Sequence, residues 1–157
     1  MKMLAFALIL SSLSVSVATA EPAPTPEQPG EASTAEKTVD RFHEALTSGD
    51  TKAALAMLDD NIQIFEQGWV ERSKDEYAAH HLPSDMAFSA ATKRTQAKRG
   101  GLTAGETAYV MSEGTVIGTF KGKAVNSITL ETMVLRRAAD GGWKITHIHW
   151  SSRDAKK

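Results

Sequence analysis

Two histidines near the end of the chain, His147 and His149, form the first pattern that could do chemistry. They lie in the segment WKITHIHWSSR, where the period-two alternation of a strand would place both rings on the same face as Trp143 and Ile145. Imidazoles at this spacing, about 6.5–7 Å apart at their Cα atoms, can both reach one metal ion. They can also act as acid and base near neutral pH, or simply make hydrogen bonds in a half-buried sheet. A catalytic zinc ion takes three protein ligands, and the candidates for the third are His80, His81, Asp85, Glu66 and Glu131.

Two glutamates lie in apolar company. Glu66 shares its predicted strand face with Ile62 and Ile64, and Glu131 follows Thr129 on a strand rich in apolar residues. A carboxylate that loses water has a raised pKa unless it pairs with a cation such as an imidazolium. We therefore expect each glutamate either to line a pocket or to be held by a structural partner.

A predicted helix carries a tyrosine and two adjacent histidines, Tyr77, His80 and His81. Neighbours on a helix diverge by about 100°, so at most one of the two histidines can face a pocket, and we expect His81 to do so together with Tyr77. Trp69, beside Gly68, is typical of a pocket mouth or an interface. The predicted ligand-binding residues are thus Glu66, Trp69, Tyr77, His81, Glu131, His147 and His149. The candidates for catalysis are His147, His149 and Glu131, and those for metal binding are His147 and His149.

Helical patterns dominate the first half of the chain. Ser33 or Thr34 can cap a helix whose apolar stripe includes Val39, Phe42 and Leu46. Gly49 is expected to end this helix and Asp50 to cap a short second one. After a strand over residues 61–67, the segment SKDE at residues 73–76 forms a capping box for a third helix. Pro83 is expected to end or kink that helix, and Ser84 and Asp85 to begin a turn before Phe88.

Strand patterns dominate the second half. Four runs, at residues 91–99, 106–120, 124–137 and 143–152, are separated by glycine-containing turns, which predicts an antiparallel sheet. Runs of ten or more residues predict strong curvature. The last run has large apolar groups on both faces, so we expect it to be internal in the sheet. The fold class is therefore α+β, with N-terminal helices packed in a strongly curved antiparallel sheet.

The first residues have the layout of an export signal. Lys2, the apolar run 3–17 and the small residues Ala18-Thr19-Ala20 predict a cleaved signal peptide over residues 1–20. A proline-rich, disordered leader is expected over residues 21–32, and one domain over residues 33–153. We therefore expect a periplasmic or secreted protein, with no membrane association after cleavage.

Composition excludes several classes of function. The 157 residues contain no cysteine, which excludes thiolate catalysis and cysteine-ligated zinc. The net charge of −1 argues against nucleic acid as a partner. The densest basic stretch, at residues 93–99, is expected to coat a solvated strand. No phosphate-binding loop or other cofactor motif is found, so no cofactor is expected.

The order helix, helix, strand, helix and four long strands resembles the nuclear transport factor 2-like superfamily, which includes ketosteroid isomerase and the SnoaL-like polyketide cyclases. The resemblance covers about residues 34–153 and is carried by VDRFHEALTSGDTKAALAMLDDNI, ERSKDEYAAHHL and GGWKITHIHWSSR. It implies a cone-shaped domain with an apolar pocket between the helices and the curved sheet. It also implies a homodimer through the outer face of the sheet. We assign no aspartate of this sequence to the position of the isomerase base, which argues against isomerase activity.

These patterns support several hypotheses. The first is an exported protein that binds a small apolar or amphipathic molecule in the pocket. The second is a cofactor-independent lyase or isomerase with a His/Glu acid–base pair. The others are metal binding through His147 and His149, and a structural dimer whose pocket is vestigial.

Overall fold

The structure, a computed structural model, describes residues 29–155, with side chains from Thr34 onward. The expected signal peptide and most of the expected leader lie outside the described residues. Helix α1 spans Pro29–Ser48, so it begins before Ser33 and Thr34, the residues expected to cap it. Thr34 instead accepts a hydrogen bond of 2.9 Å from Trp143 Nε1, which ties α1 to the last strand. Within residues 29–155, no helix is long and apolar enough to cross a membrane.

The turns and caps around the short helices follow the predicted chemistry. Gly49 ends α1 with a φ of 73°, in the left-handed region that favours glycine. Asp50 caps α2 (Thr51–Ala56) by accepting a 2.9 Å hydrogen bond from the amide of Ala53. Ser73 caps α3 (Lys74–Ala79) by accepting from the amide of Glu76 at 3.0 Å.

A fourth helix, α4, spans Leu82–Ala91 and was predicted only as a possible turn. Pro83 lies in its first turn, where the missing amide hydrogen has no role and the fixed φ suits a helix. Helix α3 ends at Ala79, so Pro83 begins a new helix rather than ending the one before it.

Six strands form one curved sheet in the order β2-β1-β6-β5-β4-β3. Strand β6 lies between β1 and β5, which confirms that it is internal. The four long strands pair antiparallel, as predicted, but β1 runs parallel to β6. The short strand β2 was not predicted. The strands are β1 (Leu58–Glu66), β2 (Trp69–Glu71), β3 (Thr92–Ala104), β4 (Thr107–Phe120), β5 (Lys123–Arg137) and β6 (Trp143–Asp154).

The core lies where α1 crosses the concave face of the sheet. Val39 and Phe42 of α1 are fully buried against a layer that includes Met133, Ile145 and Ile148. Burial of apolar surface at this end holds the helices in the curve of the sheet. The α+β fold class is therefore confirmed, and the concave surface beyond the core is left available for a site.

Candidate functional site

A cavity of about 1230 Å³ opens between α1, α4 and the concave face of the sheet. Part of its wall is aromatic and aliphatic, and the rest carries ionisable side chains. Cavities that bind small molecules combine such apolar walls with a few placed polar groups. The apolar part includes Phe88, Val116, Phe120 and Trp150, and the ionisable part includes His43, Glu66, Asp85, Arg94, Arg99 and Glu131.

Glu131 is the centre of one polar cluster in the cavity wall. Its side chain is buried, yet it accepts a 2.7 Å hydrogen bond from Trp150 Nε1 and lies 3.3 Å from Arg94 Nη2. His43 Nε2 lies 2.7 Å from Oε2, within ion-pair range, although the ring nitrogen has no hydrogen bond of good geometry. Burial raises the pKa of this carboxyl, but His43 and then Arg94 outweigh it and lower the pKa to about 2. Glu131 is therefore an anion at neutral pH, in contact with Arg94 and His43.

His43 was not among the predicted site residues. It lies on α1 four residues after Val39 and three before Leu46, so it belongs to the same stripe as the core residues. That spacing could have predicted His43 as a site residue, because a polar residue within an apolar stripe must face the core or a cavity. In the structure it lines the cavity beside Glu131.

Two arginines of β3, Arg94 and Arg99, also line the cavity, whereas most of this edge strand is exposed, so the expectation that the basic stretch coats a solvated strand holds only in part. A register shift between Gln96 and Lys98 lets residues 94 and 99 face the same side although their numbers differ in parity. Arg99 Nε donates to Ser112 at 3.3 Å and its Nη1 to Asp40 at 2.6 Å. The arginines are therefore held on the inner wall by the strands and helix around them.

A second polar group lies on α4 and at the end of β1. The hydroxyl of Tyr77 donates to Asp85 Oδ2 at 2.8 Å. Burial, and then the negative charge of Glu66, raise the pKa of Asp85 to about 7. Burial also raises the pKa of Glu66, with the charge of His81 opposing the shift. Asp85 thus carries a proton that can be lost or gained near neutral pH.

The predicted residues on the helix side are only partly brought together. Tyr77 was expected to contact the ligand, but the structure places it fully buried in the core and not in the cavity wall. It acts on the cavity through Asp85. His81, Glu66 and Trp69 line the cavity as expected. Trp69 is 70 % exposed, with its ring centroid 6.4 Å from that of His81, at the edge of the cavity.

The two histidines of β6 lie on the outer face of the sheet, away from the cavity. They were expected on the face of Trp143 and Ile145, but a bulge between residues 145 and 147 reverses the alternation. Ile148 is therefore buried and His149 is exposed. His147 Nδ1 lies 2.9 Å from the carbonyl oxygen of Gln63, and both rings contact Phe65.

This placement removes the basis for two predicted roles of the pair. Neither His147 nor His149 lines the cavity, so neither can orient a ligand there. Among the described residues, the group of side chains close enough to share an ion includes neither of them. Of the three candidates for catalysis, only Glu131 faces the cavity, and its low pKa makes it a poor base at neutral pH.

The chain is similar to a known domain family over most of its length. A SnoaL-like domain matches residues 35–154, from the first turns of α1 to the end of β6. No curated protein matches the chain significantly.

Solved structures share the fold. A proposed ketosteroid isomerase from Shewanella frigidimarina is 42 % identical, with a TM-score of 0.73 over 75 % of this chain and 94 % of its own. A proposed dehydratase of the NTF2-like family from Streptomyces avermitilis is 21 % identical, with a TM-score of 0.65 over 80 % and 98 % of the two chains. The CaMKII hub of S. rosetta is 24 % identical, with a TM-score of 0.64 over 82 % and 100 %. The last two similarities show the fold alone.

Proposed function

The chain belongs to the SnoaL-like domain family, and we propose that it is an exported protein that binds a small amphipathic molecule in the cavity between its helices and its sheet. The observation that carries this proposal is the cavity of about 1230 Å³ with a buried, ionised glutamate in its wall. Such a cavity can take up apolar surface while its polar cluster fixes the orientation of the ligand.

The arrangement of the wall favours an amphipathic rather than a purely apolar ligand. Phe88 and Phe120 contact each other edge to face, with ring centroids 5.3 Å apart, and form an apolar part of the wall. Glu131 with His43 and Arg94 forms a polar part. A polar end of the ligand would accept from Arg94, whose single contact with Glu131 leaves other guanidinium hydrogens free to donate.

Export is supported by the sequence pattern of the first residues. Lys2, the apolar run 3–17 and the small residues Ala18-Thr19-Ala20 match a secretory signal. The absence of cysteine is compatible with either redox compartment. We place the mature protein in the periplasm or outside the cell.

A homodimer through the outer face of the sheet is part of the proposal. Large apolar side chains are exposed there along β4, among them Tyr109 at 39 %, Met111 at 48 % and Ile117 at 58 %. Exposed apolar surface often marks an interaction site. Since this face lies opposite the cavity, a partner copy seated there would leave the ligand site open.

A fluorescent probe tests the binding proposal. The probe is 1-anilinonaphthalene-8-sulfonate, an aromatic amphipathic anion, titrated into the native protein. We expect saturable binding to one site per chain that is lost in Thr129→Trp, because residue 129 lines the cavity. The matched control Asn126→Trp lies on the outer side of the same strand and should bind as the wild type does. Equal binding by both variants would contradict a site in the cavity.

Acid–base catalysis is the second candidate function, and Asp85 is the observation that favours it. Its pKa of about 7 suits proton transfer at neutral pH, and it faces the cavity beside Glu66. The relative from Shewanella frigidimarina carries the description of a proposed ketosteroid isomerase.

The test of catalysis is deuterium exchange into an enolisable ketone, followed by NMR. Catalysis predicts exchange that depends on pH near 7 and is lost in Asp85→Asn. Exchange no faster than in buffer would leave binding alone.

A further inference from the structure

Three side chains at the junction of β2 and α3 lie close enough to share one ion. They are Glu71 at the end of β2, Glu76 on α3 and His80 immediately after it, with their ligand atoms all within 4.8 Å of one another. We propose that this cluster binds a divalent ion of the zinc type. The sequence predicted His80 only as a possible third ligand for an ion at His147 and His149, and it did not connect His80 with Glu71 or Glu76.

Local structure explains why the three residues meet. Glu76 and His80 are four residues apart on one helical turn, closed by a 3.1 Å hydrogen bond from the amide of His80 to the carbonyl of Glu76. Residues at this spacing lie on the same helix face. The chain between β2 and α3 is only two residues long, so Glu71 is brought back against that face. Two ligands from a helix and one from a neighbouring strand make a compact site.

The distance between Glu71 and His80 fits a shared ion better than a direct hydrogen bond. Glu71 Oε2 and His80 Nδ1 are 3.4 Å apart. A strong hydrogen bond between nitrogen and oxygen is shorter, about 2.7–3.2 Å. Two ligands about 2.1 Å from a tetrahedral zinc ion are separated by about 3.4 Å. An ion placed between the two atoms would therefore need little movement of either side chain.

Neighbouring contacts hold the carboxylates while leaving ligand atoms available. The other oxygen of Glu71 contacts Nδ1 of His81, an arrangement in which an imidazole orients a metal-binding carboxylate. Glu76 Oε2 accepts a 2.6 Å hydrogen bond from the amide of Arg72, so its second oxygen is available. Glu71 is only 4 % exposed, which restricts its carboxylate to this orientation.

Charge and ligand type select the class of ion. Two carboxylates balance the charge of one divalent ion, and His80 adds a neutral nitrogen ligand. Imidazole favours zinc and related transition metals, whereas calcium and magnesium prefer oxygen ligands alone. His80 is exposed, so water can fill the fourth position. Zn²⁺ is therefore the ion to test first, with Mg²⁺ and Ca²⁺ for comparison.

The site adjoins the cavity, because His81 contacts Glu71 and also lines the cavity, but the two proposals are tested with different probes and different variants. None of Glu71, Glu76 and His80 lines the cavity that holds the proposed ligand. A protein that binds the probe but no zinc would refute only the metal site. A protein that binds zinc but no probe would refute only the ligand site.

Calorimetric titration of ZnCl₂ into the protein without its predicted signal peptide, residues 21–157, tests the proposal. We expect one zinc ion per chain, with a rise in Tm that Mg²⁺ and Ca²⁺ do not produce. His80→Ala and Glu76→Gln should each weaken the affinity by more than about 10-fold. Glutamine can still serve in the capping box, so Glu76→Gln is expected to fold. Circular dichroism of both variants checks this.

The control is the double variant His147→Ala/His149→Ala, which removes two surface histidines elsewhere and should bind zinc as the wild type does. If the wild type takes up no zinc, or if His80→Ala and Glu76→Gln bind it unchanged, the cluster is a set of ion pairs and the proposal is wrong. If zinc binding is lost only in the double variant, the ion sits on the outer face of β6, which also overturns the proposal.

Discussion

The clearest prediction from the structure concerns Glu131 and the pH dependence of stability. Its pKa is lowered from an ordinary 4.5 to about 2 in the folded protein, with His43, Arg94 and Trp150 as its partners. When folding lowers the pKa of a carboxyl group, its ionised form stabilises the folded protein. This stabilisation is complete above the pKa of the unfolded state, and it is lost as the pH falls toward the pKa of the folded state. The window of loss therefore runs from about pH 5 down to about pH 2.

The magnitude follows from the two pKa values. Between pH 5.5 and pH 3, an unfolded pKa of 4.5 and a folded pKa of about 2 give a loss of about 2 kcal/mol. The side chain of Glu131 is 5 % exposed, so solvent screening reduces this figure little.

The perturbation is Glu131→Gln, and the assay is urea denaturation of both proteins at pH 5.5 and pH 3. Other carboxyls titrate in both proteins, so the difference between the two free energies of unfolding isolates Glu131. We expect the wild type to be more stable than the variant at pH 5.5. The gap between their free energies of unfolding should narrow by about 2 kcal/mol at pH 3. A gap that stays constant or widens would show that Glu131 is not held as an anion by its neighbours.

Two further predictions address the second polar group and the outer face of the sheet. Asp85 has a pKa of about 7 in the folded protein, against an ordinary value of 3.8. The folded state therefore favours the protonated carboxyl, and this contribution to stability is present below about pH 4 and is lost as the pH rises through 7. Asp85→Asn should therefore be more stable than the wild type at pH 8, by about 1–2 kcal/mol for this partly exposed group, and similar at pH 4. Urea denaturation at the two pH values measures this, and a less stable variant at pH 8 would count against burial of the charge. Met111→Glu/Ile117→Glu places charge on the outer face of β4 and should convert a dimer to a monomer in sedimentation velocity, with probe binding unchanged. A wild type that sediments as a monomer would rule out the dimer.

Much of the fold could be predicted from local sequence patterns. The caps at Asp50 and Ser73 and the turn at Gly49 were predictable because each depends on one side chain and its nearest amides. The four long strands were predictable because their turns contain glycine. Strand β2 has only three residues, too few to show a period, and the start of α4 was hidden because Pro83 was interpreted as an end.

The candidate site was less predictable, since it depends on register and on distant contacts. The bulge in β6 is set by pairing with β5, and nothing local marks Thr146 as the extra residue. One such residue moved both histidines to the outer face. Glu131 could be identified from its apolar neighbours on one strand. Its partners His43 and Arg94 come from α1 and β3, so only the folded chain brings the three together.

The most direct test of the central claim is a crystal structure of the protein with 1-anilinonaphthalene-8-sulfonate bound. The account predicts density for the probe inside the cavity, with its sulfonate near Arg94 and its rings against Phe88 and Phe120. Density for the probe only on the outer face of the sheet, with the cavity filled by ordered water, would contradict it.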